Sequence, residues 1–288
     1  MEKYKPMSWY IGTEWSMPRK GLRKQVLSLE NFKYLDKPHL VSKVVIKVED
    51  VHNLNGRKSQ YLVDEALGQE QLLEMGAALT PVDCYVELLV RQLVMGERAR
   101  CFIATKLEEI SFVLTLISIE ESKEIQKLSV PEMYALALRY KENGVIMFKE
   151  YPLFAHEYFV RAAKCLISYK PHEGLTVSAD GMSGEDMQKL FTQVQTNLAA
   201  CLLNQKRYED VLYQTKCVEE QPDATEKSIY RRATAFYHLK EFEKAKQTIE
   251  RVPNYQEKKD FAKLLQRIQE SWKSSNELYK NLVQRMFS

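Results

Sequence analysis

The sequence lacks a disulfide framework, a long hydrophobic run and any strong excess of charge. Its five cysteines, Cys84, Cys101, Cys165, Cys201 and Cys217, are odd in number and lie among apolar residues, which is typical of a reduced compartment. The formal net charge of +3 gives no overall attraction to nucleic acid or to an acidic membrane surface. No stretch approaches the roughly 20 apolar residues of a membrane helix, and the N-terminus lacks the apolar run of a signal peptide. We therefore expect a cytoplasmic protein, with the nucleus left open, that binds neither nucleic acid nor membrane.

Motifs for nucleotide, metalloprotease and redox chemistry are also lacking. The sequence contains no G-x-x-x-x-G-K-[ST], no H-E-x-x-H and no C-x-x-C. Its five histidines are scattered without the spacing of metal ligands, so we expect no metal and no cofactor. The basic cluster "MPRKGLRK" is short and mixed with apolar residues, and we interpret it as the solvated edge of a strand.

The first half of the chain has the hydrophobic pattern of a β-sheet. Short blocks rich in valine, isoleucine and leucine recur in "LRKQVLSL", "LVSKVVIKVEDV", "ERARCFIA" and "ISFVLTLISIE". Between them, "VDCYVELLVRQLVMG" is apolar in steps of three and four, which predicts one helix ending near Gly96. This pattern predicts an α+β domain over residues 1–123, with an antiparallel sheet packed on one helix.

The second half has a helical period. A charged linker is expected at residues 124–130, and Pro131 stands where a helix can begin. The apolar spacing over residues 131–288 predicts an all-α domain. Glycine, serine and proline over residues 169–186 predict a mobile insertion. The final segment from Phe261 is long and amphipathic, so we expect a C-terminal capping helix, with a calmodulin-type target as the alternative.

An internal repeat organises this helical half. The segment from Asn197 aligns with the segment from Arg231 at an offset of 34 residues, so that Ala199 matches Ala233. This offset is the period of the tetratricopeptide repeat, in which small residues let two antiparallel helices pack closely. A third copy lies upstream, with Gly144 at the small-residue position. Three repeats and a terminal helix predict a short superhelix with a concave groove.

Four polar residues of the helical half, Lys141, Asn197, Lys227 and Arg231, are distributed over the three repeats. The helical half resembles the tetratricopeptide domain of co-chaperones that hold the C-terminal Glu-Glu-Val-Asp tails of heat-shock chaperones. Of the five groove positions used by that family, four match here in Lys141, Asn197, Lys227 and Arg231. A terminal aspartate presents two carboxylates, which need several converging donors. Val145 stands where the family has an asparagine, so we expect weaker binding or an altered tail preference.

The first half resembles an FKBP-type immunophilin domain in "GLRKQVLSLENF", "VRQLVMGERARCFIA" and "LEEISFVLTLISIEE". That family catalyses peptidyl-prolyl cis/trans isomerisation, which needs an aromatic pocket around the X-Pro amide. Val86 stands where the family has the tryptophan floor of that pocket, the family's long loop is reduced to residues 105–110, and the Phe-Asp signature after "NGRK" is absent. Trp9 and Trp15 precede the domain and are expected to pack on it. We therefore predict that this protein is not an enzyme.

The order of the two domains is that of the large immunophilins, and the full-length pattern is similar to a noncanonical immunophilin of insects. This resemblance implies a non-catalytic co-chaperone or scaffold whose client is a casein-family kinase of the circadian clock. Two alternatives remain open. The first alternative is a residual prolyl isomerase with an unrecognised pocket. The second is a self-associating homodimeric scaffold that pairs through its groove or through a sheet edge.

Overall fold

The structure of this protein is a computed structural model. Two residues discussed above, Trp9 and Cys217, lie outside the part of the chain that it describes. The other four cysteines, Cys84, Cys101, Cys165 and Cys201, are buried. None of the described helices is both long enough and apolar enough to cross a membrane. The described residues are 11–30, 36–106, 108–216 and 224–287.

The chain forms two compact units. The sheet unit contains the described residues up to 135 together with 149–154, and the helical unit contains residues 136–148 and those from 155 onward. The predicted domain boundaries at residues 123 and 131 stay a prediction.

The sheet unit is built on a six-stranded antiparallel sheet with the strand order β1-β2-β5-β6-β3-β4. Alternate residues of its strands are buried, as the period-two pattern predicted. The short edge strands β1 and β4 were not predicted, because four or five residues carry little periodicity. Trp15 on β1 is half-buried against the core. The strands are β1 Glu14–Met17, β2 Leu22–Leu29, β3 Val41–His52, β4 Glu70–Glu74, β5 Glu97–Ala104 and β6 Glu109–Lys123.

The helix predicted between the strands of the sheet unit is shorter than expected. Helix α1 covers Pro81–Val90, with Thr80 as its N-cap, and it does not reach Gly96. The next residues form turns in which Leu93 and Val94 are fully buried, so they contribute apolar spacing without being helical. Gly96 has a φ of 78°, which turns the chain into β5 and does not cap the helix.

A buried ion pair fastens β2 to the turn after α1. The Lys24 ammonium contacts the Glu97 carboxylate, and both side chains are fully buried. Lys24 Nζ also donates to the Gln92 carbonyl oxygen at 2.7 Å, and the Val94 N–H donates to Glu97 Oε2 at 3.0 Å. The interpretation of "MPRKGLRK" as a solvated edge is therefore wrong for Lys24, because a lysine paired inside a domain looks the same in sequence as an exposed one.

Within the described residues beyond 129, the longer helices form three consecutive pairs followed by a long terminal helix. The first begins at Val130 beside the predicted Pro131, and Ser129 N–H and Oγ donate to Glu132 at 2.9 and 2.8 Å as in a capping box. The pairs are α2 with α3, α5 with α6, and α7 with α8. The helices are α2 Val130–Met147, α3 Pro152–Ile167, α4 Val177–Asp180, α5 Gly184–Asn204, α6 Tyr208–Gln214, α7 Glu226–His238, α8 Phe242–Glu250 and α9 Lys259–Phe287.

Small residues let the paired helices approach closely, as the repeat predicted. Ala199 and Ala233 are fully buried. At Gly144, a Cβ atom would lie 2.7 Å from the ring of Phe159 on the partner helix. The insertion at residues 169–186 is more structured than predicted, because it contains α4 and a buried His172 whose Nε2 lies 3.0 Å from the Leu166 carbonyl oxygen.

Candidate functional site: a cationic groove on the helical unit

The five predicted groove positions lie on three helices, each of which is the first helix of its pair. Lys141 and Val145 lie on α2, Asn197 lies on α5, and Lys227 and Arg231 lie on α7. Lys141 and Val145 are four residues apart and so share one face of α2, and Lys227 and Arg231 share one face of α7 in the same way. Lys227 and Val145 are exposed, and the other three are half-buried.

Lys227 and Arg231 line one cavity of about 420 Å³. Lys141, Val145 and Asn197 do not line it, so the structure brings only two of the predicted residues into this cavity. The cavity has a cationic side, apolar and aromatic walls, an amide and two carboxylates. Its remaining lining residues are Phe148, Ala200, Leu203, Asn204, Glu226, Tyr230, Asp260 and Phe261.

A row of residues along one face of α2, the α2 stripe, leads from the predicted groove residues to this cavity. Lys141, Val145 and Phe148 are spaced by four and three residues, so they follow one another along one face of the chain at the end of α2. Phe148 lies in the cavity wall, while Val145 precedes it with 53% of its side chain exposed. The α2 stripe therefore ends at the cavity.

The facing stripe on α5 connects Asn197 with the same groove. Lys141 Nζ lies 3.4 Å from Gln193 Oε1, at the outer limit of a hydrogen bond. Gln193 is one turn before Asn197, and Asn204 is seven residues after it on the same face. Because Asn204 lines the cavity, the α5 stripe also ends there. Lys141 therefore lies beside the α5 stripe that contains Gln193 and Asn197.

Arg231 is held in place by the backbone of α5. Its Nη1 donates to the main-chain oxygen of Thr196, the residue before Asn197. Burial lowers the pKa of the Arg231 guanidinium, although arginine remains charged at neutral pH. One of its five N–H donors is used in this way, and the fork is preorganised for a planar acceptor. A half-buried cation fixed by a neighbouring helix is suited to binding a carboxylate.

Lys227 adds its charge at the start of a helix. Thr225 is the N-cap of α7, and its Oγ1 accepts from the Ser228 N–H at 3.2 Å. Lys227 is therefore in the first turn, where the aligned peptide dipoles also favour an anion. The lysine charge and the helix dipole both make this end of the cavity attractive to a carboxylate.

Two acidic residues in the cavity were not identified from the sequence. Glu226 is paired with Lys258 at 2.5 Å, so much of its charge is balanced. Asp260 lies in the first turn of α9, next to Phe261, whose ring meets that of Tyr230 edge-on at 5.4 Å. No local pattern links Asp260 with Lys227, because they are brought together only when α9 packs on α7.

The residue predicted to replace the floor of the isomerase pocket lies in the core of the sheet unit. Val86 is fully buried in the core cluster. The segment that lacks the Phe-Asp signature is bound to α1 instead, since Asp83 Oδ1 accepts from Ser59 Oγ at 2.5 Å and from the Gln60 N–H at 3.2 Å. Burial raises the pKa of the Asp83 carboxyl, and these hydrogen bonds oppose the rise. Tyr61 in the same segment is also buried.

Comparisons with known proteins match both halves of the chain. A family model described as "BDBT FKBP like N-terminal" matches residues 15–121, and one described as "Bride of doubletime-like, TPR domain" matches residues 129–213. Protein Bride of doubletime of Drosophila melanogaster is 53% identical over 287 residues, covering 98% of this chain and 100% of that protein. The crystal structure of residues 1-211 of CG17282 is 51% identical with a TM-score of 0.66, covering 70% of this chain and 98% of that chain. The human peptidyl-prolyl cis-trans isomerase FKBP4 is 26% identical over 186 residues, covering 62% of this chain and 39% of that protein.

The antiparallel sheet with one helix, followed by helix pairs and a long terminal helix, defines an FKBP-like immunophilin with a tetratricopeptide domain. The identity over nearly the whole chain shows more than this class: the chain belongs to the Bride of doubletime family. The predicted fold class and the predicted resemblance to a noncanonical immunophilin are confirmed. The tetratricopeptide domain and the immunophilin relatives indicate a function in protein–protein interaction.

Proposed function

We propose that this protein is a non-catalytic scaffold whose helical groove binds the free C-terminus of an acidic chaperone tail. The observation that carries the proposal is the pairing of Lys227 and Arg231 in one cavity at the end of the groove flanked by Lys141 and Asn197. A C-terminal carboxylate must lose part of its water on binding, and several converging cationic and amide donors replace that water. The heat-shock chaperone tails that end in Glu-Glu-Val-Asp have this chemistry.

Two residues weaken the match to such a tail. Val145 offers a methyl surface where the related clamps have an amide donor. Asp260 adds a carboxylate to the cavity that holds Lys227 and Arg231, and it repels a second acidic group in the ligand. We therefore propose that the groove binds one carboxylate strongly and the acidic tail as a whole more weakly than a complete clamp does.

Calorimetric titration of the full chain with a peptide ending in Met-Glu-Glu-Val-Asp tests this function. We expect micromolar binding to the free acid and none to the C-terminal amide, because the amide removes the charge that the groove recognises. The Lys227→Ala, Arg231→Ala double variant is expected to lose binding. Its matched control is Lys246→Ala, Lys263→Ala, which removes the same charge from a half-buried position of α8 and an exposed position of α9, both outside the cavity.

Three results contradict the proposal. The first is the absence of heat at high peptide concentration, and the second is equal affinity for the acid and the amide. The third is equal loss of binding in both double variants, which would mean that general charge and not the groove attracts the peptide. Because Arg231 also bonds to Thr196, the melting temperature of each variant is measured first.

We propose further that the sheet unit holds a client protein and does not catalyse isomerisation. Val86 fills the floor position of the family's pocket, and the connection between β5 and β6 is confined to the few residues after Ala104 and before Glu109. A proline tetrapeptide assay is expected to show the uncatalysed rate. Acceleration by this chain that depends on its concentration would establish the residual isomerase instead.

A casein-family kinase of the circadian clock is our proposed client, on the family resemblance alone. Titration of a purified casein-family kinase domain with the full chain is expected to give saturable binding that excess Met-Glu-Glu-Val-Asp peptide does not displace. Displacement by the peptide would place the kinase in the helical groove, and no binding would exclude this client. The buried thiols of Cys101, Cys165 and Cys201 form no disulfide within the described residues, which supports the proposed cytoplasmic location.

A further inference from the structure

The end of α9 carries an apolar stripe that the described part of the chain leaves uncovered. The first half of the helix buries Phe261, Leu264 and Ile268 against α7 and α8. Leu278 and Leu282 continue the same face at helical spacing but are 71% and 55% exposed. Tyr279 and Met286 belong to the same stripe and are 68% and 71% exposed. Monomeric proteins rarely expose a continuous row of large apolar side chains on one helix face.

A cavity of about 650 Å³ lies beside this stripe. Its walls are the end of α7, the start of α8 and residues 270–278 of α9. Tyr237 and Phe242 give it aromatic surfaces, and Ser271 and Ser275 are small residues that leave room above the helix. Leu278 belongs both to the cavity and to the exposed stripe. The stripe and the cavity therefore form one continuous surface.

We propose that this surface binds a second copy of the chain, with the two α9 helices antiparallel and crossing at Leu278. Such a two-fold arrangement places residue 282 of one copy opposite residue 274 of the other, and residue 286 opposite residue 270. Leu282 and Met286 of each copy thus enter the aromatic cavity of its neighbour, above the serines. The interface is isologous, because each copy contributes one stripe and one cavity.

Charge complementarity favours this occupant over other apolar partners. Glu270 lines the cavity and is exposed on one flank of α9, and Arg285 lies on the same flank near the other end. Within one helix these residues are about 22 Å apart, at 1.5 Å per residue, and do not meet. In the antiparallel pair, Arg285 of each copy comes beside Glu270 of the other, which gives two equivalent ion pairs. Glu270 exchanges its hydrogen bond from Gln266 for this contact.

The proposed contact uses the far end of α9 from Asp260 and Phe261, so it goes beyond the tail-binding function and does not depend on it. Sedimentation equilibrium of the full chain over a wide concentration range is the test, and we expect a monomer–dimer equilibrium. Leu282→Glu replaces an exposed residue and should leave the fold intact while raising the dimer Kd at least about 30-fold, as for a central interface anchor. Lys273→Glu, an exposed change on the opposite face, is the control.

A charge swap makes the test specific to the antiparallel geometry. Arg285→Glu and Glu270→Arg are each expected to weaken the dimer, and their combination is expected to restore most of its affinity. A monomer at every concentration would overturn the proposal. A dimer that resists Leu282→Glu, or one in which the swapped pair shows no recovery, would overturn it too, since association would then use another surface such as a sheet edge.

Discussion

Restoring the missing amide of the groove should strengthen tail binding. The perturbation is Val145→Asn on α2, four residues after Lys141 and three before Phe148, on the face that leads into the cavity. Val145 is 53% exposed, and asparagine and valine have similar helix propensities, so little change in the free energy of unfolding is expected. The new side chain adds one N–H donor to the groove.

The size of the effect follows from the exposure of this position. A hydrogen bond to a charged group contributes about 1.5 to 3 kcal/mol. Water competes at a half-exposed site, so the lower value applies, and about 1.5 kcal/mol corresponds to roughly a tenfold lower Kd. The gain should appear for the free-acid peptide and not for its amide.

Ile146→Asn is the matched control for this variant. Ile146 is the next residue, is 61% exposed, and is turned about 100° around the helix from the groove face. Calorimetry with the Met-Glu-Glu-Val-Asp peptide should therefore show no change for Ile146→Asn. Equal gains in both variants would refute the reasoning. So would no gain at position 145 while the Lys227→Ala, Arg231→Ala double variant still abolishes binding.

Three further predictions concern stability and ionisation. Gly144→Ala should lower the free energy of unfolding by about 1 to 3 kcal/mol in urea, because its Cβ would lie 2.7 Å from a buried phenyl ring; an unchanged midpoint would contradict this close contact. Glu97→Gln should cost about 3 kcal/mol because it leaves the buried Lys24 charge unpaired, and adding Lys24→Met should recover part of the loss; purely additive effects would argue against the pair. The side-chain hydrogen bond from Lys123 lowers the pKa of the Glu132 carboxyl to about 2. The ionised carboxylate therefore stabilises the fold above the ordinary pKa of 4.5, and this contribution is lost as the pH falls through about 2. A carbon-detected NMR titration that gave an ordinary pKa for Glu132 would disprove this.

The hydrophobic periods of the sequence were sufficient for the class of fold. Alternation along β2 and β3 reports which face of a strand is buried, and the offset of 34 residues between Ala199 and Ala233 reports a repeated helix pair. These signals are local, so they can be recognised in the sequence without knowing which distant residues come into contact in the fold. They misled where burial was not periodic, as in the turn after α1, where Leu93 and Val94 are buried outside a helix.

The composition of the site depended on contacts between distant residues. The resemblance of the sequence to carboxylate-binding tetratricopeptide domains predicted Lys227 and Arg231 as cationic groove positions, and both residues line one cavity. Only the tertiary structure placed Asp260 and Phe148 in the same cavity, and only it turned Lys24 from an apparent surface charge into a buried partner of a carboxylate. The physical reason is that the charge environment of a side chain is set by groups across space, whereas periodicity reports only the face on which that side chain lies.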